Sequence, residues 1–255
     1  MLLWQNPVEH ASIFYNSMVL DAFGRVCKLL MLSAALLCML ISIDYLRRQV
    51  NAFEYSFLLL FATGGGMFLI SSADLLSMFL SLEFQSLCFY VLAALKRNSE
   101  FATEAGLKYL VLGAFSSGVL LFGCSLLYGF TGATHLTELA KLFSCGTNSA
   151  YFLGALTGML FIAVGLLFKL SAAPFHSWAP DVYDGSPSPV TTFFAAAPKI
   201  SVFAFLIRLL QAGFNDLNAL VLADWSSQTV LFQSGDLYET PPFQKILCAG
   251  VVRRR

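Results

Sequence analysis

Six runs, at residues 26–46, 56–73, 75–95, 107–128, 151–173 and 190–211, are apolar along most of their length. About 20 helical residues at about 1.5 Å each cover a hydrocarbon core of about 30 Å. Inside that core an unmet backbone N–H or C=O finds no water, so a chain written this way must close its hydrogen bonds within helices. The expectation is an all-α, polytopic bundle of six spans, preceded by a loop or interfacial segment at 1–25 and followed by a polar tail at 212–255. Composition agrees: 58% of the 255 residues are hydrophobic and 12% charged, against about 45–50% and about 25% in soluble domains. Fifteen basic and fifteen acidic residues cancel, which removes the basic excess that nucleic-acid binding would need.

Against that background the stretch GLLFKLSAAPFHSWAPDVYDGSPSPVTTFFAAAPKISVFAFLIRLL, residues 165–210, stands out. It sets Lys169 and Lys199 inside apolar runs, where an ammonium group costs about 3 kcal/mol or more. Pro174 removes a backbone donor and breaks the fifth span, and Pro198 frees the carbonyl of Phe194 within the sixth,. A break at membrane depth must be met by protein or water, so a buried, hydrated cavity is expected beside Lys169. Trp178 reads as an interfacial anchor, with a brief re-entrant turn at 175–178 and then a surface turn,. His176 is open between a proton relay and a hydrogen bond to a loop carbonyl,.

Glu83 lies eight residues into the third span, hence about 12 Å deep, near the midplane. A carboxylate there is either a functional group or the structural partner of a lysine. Lys108 depends on where the fourth span starts. A start at 107 makes it a snorkelling boundary residue, whereas a helix beginning in FATEAGLK, capped by Thr103 and with Glu104 at ion-pair spacing, draws it inward,. Lys28, Arg47, Arg48 and Arg208 read as snorkelling ends, and Gly64, Gly65 and Gly66 as a site of close helix approach,. His135 reads as solvated, within a polar connection whose TELAKLF is a short amphipathic turn. The six cysteines form no CxxC pair and read as small hydrophobes, with no metal site,. Basic residues in the loops at 47–55 and 96–106 orient those loops toward the cytoplasm or matrix, a bias weakened by Arg25, Lys28 and Lys141,. MLLWQNPVEH has neither a cationic signal-peptide start nor the pattern of a transit peptide, so an organellar chain of this kind is expected to be made inside its organelle,.

One acid and several lysines at membrane depth, beside helix-breaking residues, suit a chain of proton-exchanging sites. Burial weakens a lysine's hold on its proton and a nearby carboxylate restores it, so changing their separation switches the lysine without any cofactor.

The segments LEFQSLCFYVLAALKR, TEAGLKYLVLGAFSSGVLLFG and GLLFKLSAAPFHSWAPDVYDGSPSPVTTFFAAAPKIS closely resemble the subunit 2/subunit N family of antiporter-like membrane proteins in respiratory complex I. The resemblance covers residues 21–210, and its wording is nearest to plant and protist mitochondrial members. It implies a multi-pass protein of the mitochondrial inner membrane that couples NADH-to-ubiquinone electron transfer to proton pumping. Glu83 would be the mid-membrane acid, Lys108 its near neighbour, Lys169 the lysine of the broken helix and Lys199 the lysine of the next. FMN, iron–sulfur clusters and ubiquinone would belong to other subunits, and the partners would be further membrane-arm subunits and the bilayer. Family members carry a second, inverted five-helix repeat. Here one repeat preceded by one extra helix is expected, and either a separate polypeptide packed without covalent linkage supplies the second, the favoured expectation, or the gene is truncated or split. Two alternatives stand beside this: a subunit of a multi-subunit cation/proton antiporter, and a membrane-arm component that does not pump.

Overall fold

The computed structural model describes residues 11–46, 52–96, 98–144 and 150–213. Met1–His10, Arg47, Arg48, Arg97, Cys145, Cys248 and the expected tail beyond residue 213 lie outside the described residues. Among the described residues a hairpin of β1 (Ala11–Ile13) and β2 (Met18–Leu20) precedes eight helices. These are α1 (Ala22–Leu46), α2 (Ala52–Ser71), α3 (Leu75–Ala93), α4 (Glu100–Thr131), α5 (Leu136–Ser144), α6 (Ala150–Leu170), α7 (Trp178–Gly185) and α8 (Ser188–Gly213). Among the described residues, α1, α2, α3, α4, α6 and α8 are long and apolar enough to cross a membrane. That is an all-α bundle of six spans, as the sequence led one to expect.

The ends differ from the sequence expectation in instructive ways. Residues 11–20 form an antiparallel hairpin, Ala11 opposite Leu20, instead of a loop. Its edge is satisfied by the α2–α3 joint: Met18 bridges Ser72, and the Ala73 amide donates to the Ser17 carbonyl at 2.9 Å. Helix α1 therefore starts at Ala22. Lys28 does not snorkel from a helix start but lies inside α1, 7% exposed, with Arg208 and Asp21 as its charged neighbours. Nor does Arg208 snorkel. It is buried against α1, 2.9 Å from the Asp21 carboxylate, and Gly24 leaves the room, since a Cβ there would come within 3.2 Å of the guanidinium.

Helix α4 begins at Glu100, with Ser99 rather than Thr103 at the cap position. The Thr103 hydroxyl turns back to the Glu100 carbonyl at 2.8 Å. The helix ends where Gly132, at φ 69°, takes the left-handed conformation and donates its amide to Tyr128 at 2.7 Å,. Its 32 residues span about 48 Å, so its ends pass beyond a core of about 30 Å. The residues around TELAKLF form α5, a full amphipathic helix, and the expected re-entrant turn and surface loop contain α7. His135 is half-buried and its backbone bridges Asp74, so it is not the solvated residue the sequence suggested.

Small residues bring the spans together. A Cβ on Gly158 of α6 would stand 2.9 Å from the Leu127 amide nitrogen of α4. On α2, Gly65 and Gly66 face Gln85 of α3, and Gly66 also faces Met31 of α1, whereas Gly64 meets open space,. The core these contacts surround is aromatic. Phe89 packs edge-on to Phe193 and Phe194, Tyr90 edge-on to Tyr109, and Tyr109 stacks on Trp178 at 4.9 Å,.

Candidate functional site

Glu83 sits near the middle of α3, and its carboxylate faces α4 and α6. The Ser117 hydroxyl of α4 donates to Glu83 Oε1, and Ser86, one turn along α3, donates to Oε2 at 3.5 Å. The Lys169 ammonium lies 3.9 Å from the same Oε1, with the lysine side chain 9% and the glutamate side chain 28% exposed. Lys169 Nζ is nearer to Tyr90, donating to its hydroxyl at 3.4 Å and standing 5.9 Å from the ring centroid. Gly113 of α4 makes that seat possible, since a Cβ there would collide with the Tyr90 hydroxyl. Acid and lysine thus face each other across a gap, each with a neutral hydroxyl as its nearer partner.

Helix α6 ends at Leu170, four residues before Pro174, and Ser171 takes a left-handed φ of 53°. The sequence suggested a later break, at Pro174 itself. The freed carbonyls find donors within the protein: the Trp178 indole N–H meets Phe168 at 3.1 Å, and Lys199 of α8 reaches across to Leu170 at 2.5 Å. The end of α6 thus has protein donors for the carbonyls of Phe168, Lys169 and Leu170. Lys199 also donates to the Ser171 hydroxyl and stands 5.8 Å from the Trp178 ring centroid. Burial pushes the Tyr183 phenol up to about 12, against a smaller opposite pull from Ser171, so Tyr183 is a neutral hydroxyl at this junction.

Lys108 is elsewhere. Its side chain is 44% exposed and pairs with Glu104 at 2.9 Å and with Asp181 of α7 at 3.0 Å. It precedes Ser117 by nine positions on α4, hence lies about 14 Å along the helix from the level of Glu83. It is therefore not the acid's near neighbour that the resemblance implied. His176 lies between α6 and α7, and its Nδ1 is buried without a hydrogen-bond partner among the described residues. Pro198 lies within α8, and Ser201, one turn on, donates to its carbonyl at 2.9 Å.

Sequence reasoning missed Ser117, Tyr90 and Ser171. Tyr90 could have been found, because seven residues after Glu83 is two turns along the same helical face. Nothing in the sequence marked Ser117 out from the other serines of α4. Among the described residues no three His, Cys, Asp or Glu side chains gather to hold a metal ion, and Cys27, Cys38, Cys88 and Cys124 are free thiols.

A family model described as NADH:quinone oxidoreductase/Mrp antiporter, transmembrane, matches residues 72–235. The chain belongs to this family. Within it, the chain is 50% identical over 218 residues to the NADH-ubiquinone oxidoreductase chain 2 of Marchantia polymorpha, covering 83% of this chain and 44% of that one. Among solved structures it is similar to a chain of respiratory complex I from Thermus thermophilus, at 34% identity and a TM-score of 0.65, covering 78% of this chain and 42% of that one. It is also similar to a chain of the Mrp complex from Dietzia, at 25% identity and a TM-score of 0.64, covering 78% and 36%. The antiporter-family chain therefore spans less than half the length of these relatives.

Proposed function

We propose that the chain is a proton-translocating membrane-arm subunit of a mitochondrial NADH:ubiquinone oxidoreductase, the redox groups (FMN, iron–sulfur clusters and ubiquinone) being carried by other subunits. The observation that carries this reading is the Glu83–Lys169 pair, 3.9 Å apart among the spans, with the lysine side chain 9% and the glutamate side chain 28% exposed. At that distance a small displacement changes how strongly the carboxylate holds the lysine's proton, because their attraction in a low-dielectric interior varies steeply with separation. Lys199, at the break beside Lys169, continues the route along α8. Lys108, with Glu104 and Asp181, is assigned its membrane-boundary end, and His176 is a relay candidate by its place between α6 and α7.

The likeness to the Mrp complex supports a second reading, a subunit of a cation/proton antiporter. A purely structural role is disfavoured by the buried ionisable groups, since an idle charge at this depth is expensive. Mild detergent extraction, native separation and mass spectrometry distinguish the first two. Migration with NADH-oxidising and quinone-binding subunits is expected, and migration with antiporter subunits alone would remove complex I. In the intact assembly, Lys169→Met is expected to abolish quinone-linked proton transfer. Full transfer by that variant would leave only the structural role.

A further inference from the structure

The last four carbonyls of any α-helix lack partners within it. At the end of α6 they can be followed one by one. Leu167 accepts from the Ala172 amide at 3.0 Å, and Phe168 from the Ser171 amide at 3.0 Å and the Trp178 indole at 3.1 Å. The two that remain, Lys169 and Leu170, both accept from the Lys199 ammonium, at 3.5 and 2.5 Å, and Leu170 also accepts from the Ser171 hydroxyl at 2.6 Å. A cation on α8 thus occupies the negative end of the α6 dipole, and each of its oxygen partners is neutral, the third being the Ser171 hydroxyl,. One of the carbonyls it holds belongs to the residue whose own ammonium faces Glu83.

We infer that Lys199 is a positioning residue: by capping the broken end of α6 it holds the backbone from which Lys169 reaches toward Glu83, so that loss or movement of its charge moves Lys169. The cap stands on geometry alone, and its consequence for transport rests on the proposed role of the Glu83–Lys169 pair. The groups facing Lys199 are Lys169 and Ser171 at the end of α6, the Trp178 ring, and Tyr183 of α7 behind Ser171. Tyr90 and Glu83 of α3 face Lys169 from its other side, and Tyr109 of α4 backs Trp178. Lys28 of α1 and Asp21 just before it gather at Arg208, nine positions or about 14 Å further along α8.

The test is amide hydrogen exchange at Ser171 and Ala172 in the detergent-solubilised assembly, for wild type, Lys199→Met and Lys199→Arg. Loss of a charge-assisted cap should speed exchange about 10- to 100-fold in K199M, while the permanently charged K199R stays close to wild type. With the intrinsic rate divided out, wild-type exchange should still rise with pH as Lys199 loses its proton, and K199R should show no such rise. The infrared carboxylate band of Glu83, identified by its loss in Glu83→Gln, should shift in K199M and stay in place in K199R. Wild-type exchange rates in K199M, or K199R as fast as K199M, would overturn the inference. Should K199M not accumulate, matching pH profiles of wild type and K199R would overturn it equally. All these readouts are made on the protein itself, so failure of the proton-pumping reading leaves them intact, and normal exchange beside impaired proton transfer removes the positioning role alone.

Discussion

Two meetings of lysine with carboxylate, one at each level of α4, are built in opposite ways. Nearer the start of α4, Lys108 closes tightly on Glu104 and Asp181, at 2.9 and 3.0 Å, with side chains 44%, 60% and 59% exposed. At the centre, Lys169 and Glu83 are nearly covered, yet stay 3.9 Å apart. Water competes for the outer charges and screens them, so their close contact contributes little. The inner pair is less exposed and less screened, and there Ser117 and Tyr90 stand as the nearer partners of acid and lysine. The tight contact is the weak one, and the loose contact is where a change of distance matters.

The sharpest way to break this contrast is to remove one charge from the centre. Glu83→Gln or Lys169→Met alone should destabilise the chain by about 3–5 kcal/mol, because each leaves the other charge buried and unpaired. The double variant should recover much of the loss, as read by thermal denaturation of the solubilised assembly. Equal melting of single and double variants would mean that the two groups are not coupled.

A milder intervention leaves both charges and moves their spacer. Gly113→Ala drives a Cβ into the Tyr90 hydroxyl and should cost about 1–3 kcal/mol through overpacking, with proton transfer impaired alongside. Its control is Gly118→Ala on the same helix, where the new methyl meets nothing within 4 Å. That change should be neutral or stabilise by about 0.5–1 kcal/mol, the ordinary gain of alanine over glycine in a helix. If both variants behave alike, the seat of Tyr90 does not depend on Gly113. The smallest effect belongs to the boundary: Asp181→Asn should leave the melting temperature at high salt unchanged, since the partners it loses are already solvated. A large shift there would erase the contrast between the two levels.

Much of this could be read along a single strand of text. Solvent and geometry act on each residue in sequence order: apolar runs in lipid must be helical, and a rise of about 1.5 Å per residue turns position into depth. That reasoning reached six spans, Glu83 and Lys199 near the middle of theirs, and a break after Lys169. It failed where a residue's surroundings come from a distant part of the chain. Lys28 and Arg208 were read as snorkelling because each stood near the end of its apolar run, but the packing of α1 on α8 buries both, with Asp21 against Arg208. Lys108 was placed beside Glu83 by resemblance, whereas α7 brings Asp181 to it about 14 Å along α4 from the level of the acid,. Which hydroxyl meets the acid, which carbonyls Lys199 covers, and how far Lys169 stands from Glu83 depend on gaps such as the one at Gly113. Such gaps exist only once the helices have packed, because hydrogen bonds and close contacts reach a few ångströms through space regardless of separation along the chain.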